Sequence, residues 1–256
     1  MAQKKFNSLE KAVDILDLYD IDRREYSAKE ISEKLNIPLS SIYKYLEFLT
    51  KRQLLRRKPR TNLYGLGFMI ARLGYVMDKD MEILKIARPH LEALCRETGE
   101  TAFLTMLTGE EALTLDPVEP QRLVKFTIAS GRRLPLSTGA TSRILLAHKE
   151  EAFIEHYLAT ASFQRLTGKT IVDADALRAD LVQIRKQGYA LSDSEVDVGA
   201  RAVSVPLFDQ NGRIFAGLSV AGPSERITDQ IVEQLIVLLK KRVVIMEREL
   251  KFALGA

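Results

Sequence analysis

Cysteine occurs once in the 256 residues, at Cys95. That excludes an internal disulfide framework and a thiolate metal cluster, and it fits a reducing compartment. Histidine occurs three times, at His90, His148 and His156, too few and too scattered for an obvious metal site. No apolar run approaches the roughly 20 residues of a membrane helix. The longest candidate, Ile231 to Ile245, is broken by Glu233, Gln234, Lys240, Lys241 and Arg242. The opening MAQKKFNSLEKAV is basic but has no apolar core behind it, so no export signal is expected and the expected location is cytoplasmic. G-x-S-x-G, G-x-x-x-x-G-K-[ST] and H-E-x-x-H are all missing. No enzyme activity, cofactor or metal is expected on these grounds.

The composition that remains, 46% hydrophobic and 28% charged, is ordinary for a soluble globular protein of one large domain or two smaller ones. The net charge of +4 is unevenly spread. Residues 1–75 carry 15 Lys and Arg against 9 Asp and Glu, a net of +6, and the rest of the chain nets −2. Such asymmetry suggests either a nucleic-acid surface or a solvated basic face in the first third.

Ser8 is a plausible N-cap for a first helix ending near Asp20, with Leu9, Ala12, Val13, Leu16 and Tyr19 as its apolar stripe. Ser27 with Glu30 three residues on reads as a capping box for a second helix, which Asn36 can close in the left-handed conformation. A third helix follows from about Ser40 to Arg52, with Ile42, Tyr45, Leu46 and Leu49 facing inward. Two helices across so short a turn make a helix-turn-helix pattern. Behind it, Leu54–Arg57 and Leu63–Leu66 read as strands of a hairpin wing. Lys51, Arg52, Arg56, Arg57, Lys58 and Arg60 place six cations in ten residues without an acid, which points to phosphate contact.

Gly67 to about Asp78 reads as a helix too apolar for a flexible linker, suited to packing on a second copy or another domain. A further helix runs from about Met81 to Thr98. Then Thr101–Leu107 and Ala112–Val118 form a hairpin, and Leu123–Ile128 is read as a third strand. Helices are expected at about Thr138–Ala147, Glu150–Thr160 and Asp173–Gln187. Strands Ala202–Phe208 and Arg213–Val220 are joined by the turn Asp209-Gln210-Asn211-Gly212, and a last helix spans Thr228 to Ala253. Hairpin links among helices predict an α+β domain around an antiparallel sheet. Asp193, Glu195 and Asp197 read as a solvated or capping loop, and Cys95 as core.

The segments S-L-E-K-A-V-D-I-L-D-L, A-K-E-I-S-E-K-L-N-I-P-L-S-S-I-Y-K-Y-L-E-F-L, Tyr64–Gly67, Ile86–Leu94, Glu97–Ala102, Gly131–Leu136, Leu145–Ala147, Gly188–Glu195 and Asp209–Arg213 occur in a telling order and spacing. In these the chain resembles the IclR (isocitrate lyase regulator) family of bacterial transcription regulators from about Ser8 to Ala253. The resemblance implies two domains. One is an all-α winged helix-turn-helix DNA-binding domain over 1–66. After a linker helix over 67–80 comes a GAF-like α+β effector-binding domain with an antiparallel sheet over 81–256. It implies a regulator, expected to repress a catabolic operon, that binds double-stranded operator DNA as a homodimer or homotetramer and responds to a small metabolite. The alternative is a metabolite-binding or hydrolytic enzyme with an incidental winged helix.

The expected DNA contacts are Ser40, Ser41, Tyr43 and Lys44 at the start of the third helix, with Ser27 offering a backbone amide to a phosphate. Tyr43 reads equally as part of the helix packing. Arg57, Lys58 and Arg60 are the wing's candidates. The start of the helix at Thr138 reads as a carboxylate site or as a plain cap. By the resemblance, the effector residues are Gly139, Ala140, Thr141, Ser192, Ala202, Ser219 and Ala221. The chain departs from the family's commoner pattern in three places. Ser142-Arg143 stands where Gly-Lys is frequent, Ser137 where His is, and Ala202 and Ala221 where Cys or Ser serve some carboxylate binders. Fewer polar side chains suit a less polar effector, an organic or aromatic acid or a lactone.

Overall fold

A computed structural model describes residues 7–20, 23–80 and 82–253. The chain divides into two compact units, Met1–Met81 and Glu82–Ala256.

The first unit holds α1 (Asn7–Asp17), α2 (Ala28–Leu35), α3 (Leu39–Lys51), β1 (Leu55–Arg57), β2 (Tyr64–Leu66) and α4 (Phe68–Asp80). α1 starts one residue before the expected cap, so Ser8 lies in its first turn, and it stops at Asp17 rather than near Asp20. Its inward stripe is also displaced. Ile15 is fully buried, while Leu9 and Val13 of the expected stripe are exposed. α2 forms as expected. The Ser27 hydroxyl accepts from the Glu30 amide at 3.2 Å, and the Ser27 amide donates to the Glu30 carboxylate at 2.8 Å. That exchange satisfies donors which a helix start otherwise leaves open. Asn36 ends the helix at φ 52°. Ile15, Ile31, Ile42, Leu46, Leu49, Leu55 and Tyr64 make one core, so the wing and the helices share the same interior. Gly67 leads from wing to α4 where no side chain fits, because a Cβ would sit 2.1 Å from the Gln53 carbonyl oxygen.

The second unit holds α5 (Glu82–Thr98), β3 (Thr101–Thr108), β4 (Glu111–Val118), β5 (Arg133–Pro135), α6 (Gly139–Ala147), α7 (Glu151–Thr160), α8 (Ala174–Gln187), β6 (Ala190–Asp193), β7 (Ala200–Phe208), β8 (Ile214–Pro223) and α9 (Asp229–Ala253). The six strands pair in the order β5-β4-β3-β8-β7-β6, every pair antiparallel. α6 packs on one face, with Ile144 against Gly217 and the Thr105 hydroxyl donating to the Thr141 carbonyl at 3.2 Å. α5 and α9 pack together on the other face. There Arg201, one residue out of phase with the α6-facing Ala202, donates to the Ile227 carbonyl at 2.9 Å beside the start of α9.

One strand expectation needs correction, and two strands, β5 and β6, were not expected. Leu123–Ile128 is not a strand: the edge of β4 is already taken by β5. The segment is tied down by side chains instead, the Thr101 hydroxyl donating to the Phe126 carbonyl at 2.5 Å and Arg226 to the Val124 carbonyl at 3.2 Å. Leu123 and Val124 turn to solvent and Ile128 turns inward. β6 went unread because its four residues, Ala-Leu-Ser-Asp, carry almost no strand preference. They pair only because β7 offers a free edge.

Ser27→Ala removes the hydroxyl half of the capping box. It should cost the first unit about 1 kcal/mol, read as a lower urea midpoint with unchanged slope.

Candidate functional site

Two sites emerge, one in each unit. In the first, α3 turns Ile42, Leu46 and Leu49 into the core. Helical periodicity therefore leaves Ser40, Tyr43 and Lys44 outward. All three are exposed, and Ser41 is half-buried. Tyr43, 53% exposed, belongs to the surface and not to the packing. No acidic residue lies in the first turn of α3, so the positive end of its dipole is unopposed there.

Of the wing cations, Arg56 and Arg60 are exposed and Arg57 donates to the Asn62 side chain at 2.7 Å. Lys58 is ion-paired with Glu25, which precedes α2. An acid distant in sequence thus answers a cluster that looks one-sided over ten residues. Ser27 also differs from expectation, since its amide is already given to Glu30. Arg52 lies over the exposed Phe48 ring at 5.6 Å, an aromatic-cation pair on the outer side of α3 that periodicity alone did not pick out.

The second site grows from α6. Every residue of α6 is buried, and Arg143 is its one charged side chain. A buried guanidinium must be answered. Its Nη1 and Nη2 meet the two oxygens of Glu195, the second at 2.9 Å, and Nη2 also donates to the Leu191 carbonyl at 3.0 Å. Nε stands 2.9 Å from an Asp180 oxygen, close enough for ion pairing but not aligned as a hydrogen bond. Burial raises the Asp180 carboxyl above its usual range despite Arg143 beside it. Glu195 is therefore no part of a solvated loop, its side chain being 13% exposed. Asp193 and Asp197 pair with Lys169 and Arg132. Cys95 is buried, which pushes its thiol pKa up, and it serves as core.

Arg143 thus ties the start of α6 to the chain following β6, and a cleft opens between them. Its empty space, counted together with open solvent at the mouth, is about 420 Å³. Gly139, Ala140, Thr141, Ser192, Ala202 and Ala221 line it. Ser219 does not: it is fully buried, bonded to Ser204 hydroxyl to hydroxyl at 2.8 Å. Thr138 supplies no side-chain cap, so the amides opening α6 keep their donors. Gly139 adopts φ +70°, and a Cβ there would lie 2.7 Å from a Val196 methyl, so the helix start and the opposite wall already touch. Ser137 stays outside the lining, its amide donating to the Tyr157 hydroxyl at 3.0 Å.

The remaining walls were not foreseen. Phe103, Phe126, Ile128, Leu134 and Val196 make them apolar, and Arg132, Asp197 and Arg201 add the charge. Inward-facing alternation on β3 could have flagged Phe103. Phe126 and Ile128 come from the segment wrongly read as a strand. Among the described residues no cluster of His, Cys, Asp or Glu could hold a metal ion, and no helix is long and apolar enough to cross a membrane.

Each unit matches a known protein family. The family described as IclR helix-turn-helix domain matches residues 8–59, and that described as bacterial transcriptional regulator IclR C-terminal matches 76–244. The HTH-type transcriptional regulator BhcR of Paracoccus denitrificans is 33% identical over 222 residues, 87% of this chain and 79% of BhcR. The HTH-type transcriptional repressor AllR of Escherichia coli is 28% identical over 235 residues, 91% of this chain and 87% of AllR. A crystal structure of an IclR homolog complexed with 4-hydroxybenzoate, from Microbacterium hydrocarbonoxydans, has a TM-score of 0.81 at 23% identity. It covers 95% of this chain and 99% of that one, a likeness of fold.

Glu195→Ala would take the bidentate partner from the buried Arg143 guanidinium, leaving it only Asp180 and the Leu191 carbonyl, and should destabilise the second unit by about 3 kcal/mol. Arg143→Met should cost less, because Glu195 keeps some access to water. Urea titration of the two variants should rank them in that order.

Proposed function

The chain belongs to the IclR family of bacterial transcription regulators, and on that premise we propose that it binds operator DNA through its first unit and changes its DNA affinity when a small organic acid fills the cleft of its second. It is a regulator with a helix-turn-helix domain and an effector domain, not an enzyme.

The observation that carries the DNA reading is the outward start of α3, where Ser40, Tyr43 and Lys44 stand free while the helix's other face builds the core. Those positions enter the major groove, with Lys44 reaching a base edge or phosphate and Ser40 and Ser41 making adaptable contacts. Arg56, Arg57 and Arg60 of the wing neutralise phosphates. In the first turn of α2 the Ala28 and Lys29 amides are the ones left for a phosphate, since those of Ser27 and Glu30 are spent on each other's side chains.

One such module holds DNA poorly at physiological salt, so the working unit is a symmetric dimer, or a pair of dimers, on two half-sites. Phe68, Leu73 and Val76 on α4 are exposed in the single chain, apolar surface that a second copy would cover. Repression is the proposed mode, in line with the naming of AllR.

In the cleft, a carboxylate lies against the uncapped start of α6 and an apolar body lies along Phe103, Ile128 and Leu134. Alanines at 202 and 221 keep the floor apolar. That favours an aromatic acid over a small oxo-acid. The Microbacterium hydrocarbonoxydans homolog holds 4-hydroxybenzoate, an acid of this class.

A gel-shift titration with DNA upstream of the chain's own coding region tests the reading. Binding should fall steeply with salt. Lys44→Ala should weaken it by about 1–3 kcal/mol, five- to more than a hundredfold. Affinity that ignores both salt and Lys44 would remove the assignment.

A further inference from the structure

Outside the inner cleft lies a shallower and wider recess, and Phe126, Arg132, Asp197 and Ala200 line both, so they form the neck between the two. The charged pair comes from separate segments: Arg132 precedes β5 and Asp197 follows β6. Arg132 Nη2 and Asp197 Oδ2 stand 3.8 Å apart, too far for a hydrogen bond, with the side chains 33% and 53% exposed. Among the described residues no hydrogen bond reaches the Arg132 guanidinium. The other arginine of the lining, Arg201, gives its Nη1 to the Ile227 carbonyl and its Nη2 to Asp229 at the start of α9, and its Nε is buried without a hydrogen-bond partner. A donor and an acceptor joined only by a long ion pair, without hydrogen bonds, therefore face each other across the way into an apolar cleft.

An oxygen about 2.8 Å from each fits over a gap of that width. The group that satisfies both is a hydroxyl, which accepts from Arg132 and donates to Asp197. A second carboxylate would meet the Asp197 charge, and an apolar group would offer neither ion a hydrogen bond. The present pair is weak in water, so rebuilding it around a hydroxyl costs little, and hydrogen bonds to ions are the strong ones. We propose that Arg132 and Asp197 read a hydroxyl on the effector. The ligand is then an aromatic hydroxy acid, its carboxylate at α6, its ring between the apolar walls and its hydroxyl at the neck. This rests on the reading of the cleft as the effector site.

Titration calorimetry of the full chain with benzoate, 4-methylbenzoate and 4-hydroxybenzoate tests it, using the natural sequence, Arg132→Met and Asp197→Ala. In the natural sequence 4-hydroxybenzoate should bind roughly 10- to 100-fold tighter than the other two, because a site built for a hydroxyl rejects analogues without one. In each variant that advantage should fall below about threefold, read as the ratio of 4-hydroxybenzoate to benzoate affinity within the same variant. Equal affinities of benzoate and 4-hydroxybenzoate for the natural sequence would overturn the proposal, as would an advantage that survives both substitutions. If none of the three acids binds, the aromatic-acid reading of the cleft itself falls, a result distinct from benzoate binding without a hydroxyl preference.

Discussion

The buried guanidinium of Arg143 is the point from which the second unit is organised. α6 lies wholly inside, and a charge there survives only where Glu195, Asp180 and the Leu191 carbonyl surround it. Those partners come from α8, from β6 and from the loop after it. One wall of the cleft is the start of α6, and the other is Ser192, Val196 and Asp197. The same ion pair that makes α6 tolerable in the core therefore sets the spacing of the walls. Buried ion pairs add little net stability, and their use here is positional. The neck pair behaves oppositely. Long, half-exposed and without a further hydrogen bond, it leaves its donor and acceptor open to a ligand.

The first unit depends on local signals rather than on one buried charge. A capping box fixes where α2 begins, a left-handed asparagine fixes where it ends, and α3 follows within a few residues. The wing shares its core with the helices through Leu55 and Tyr64. That shared interior keeps the hairpin and α3 in one body, as a surface that grips a duplex requires.

Much of this was legible in the sequence, and what was not has identifiable causes. The helix-turn-helix is written in short-range chemistry: Ser27, Glu30 and Asn36 act within four residues of their targets, and the cap geometry matches the reading. Six of the seven expected effector residues line one cleft, although they lie on α6, β6, β7 and β8. Their grouping rested on family likeness rather than on periodicity. The failures are long-range. Lys58 looked unopposed until folding brought Glu25 to it. Glu195 looked solvated until Arg143 reached it from 52 residues away. Leu123–Ile128 has strand composition, but the sheet edge it would need is occupied by β5. Ser219 lies on a cleft-bearing strand, yet it is spent on Ser204. In each case the deciding partner is distant in sequence, and no local pattern names it.

In the proposed function the two sites share a free energy, and linkage requires that exchange to be mutual. The most direct measurement is the affinity of 4-hydroxybenzoate for the full chain, free and saturated with its upstream DNA, at one salt concentration. The account predicts that bound DNA shifts the ligand dissociation constant by about 5–150-fold, and that ligand shifts DNA affinity by the same factor. A ligand that binds equally well with and without DNA would contradict it, leaving a DNA-binding unit and a cleft that do not communicate.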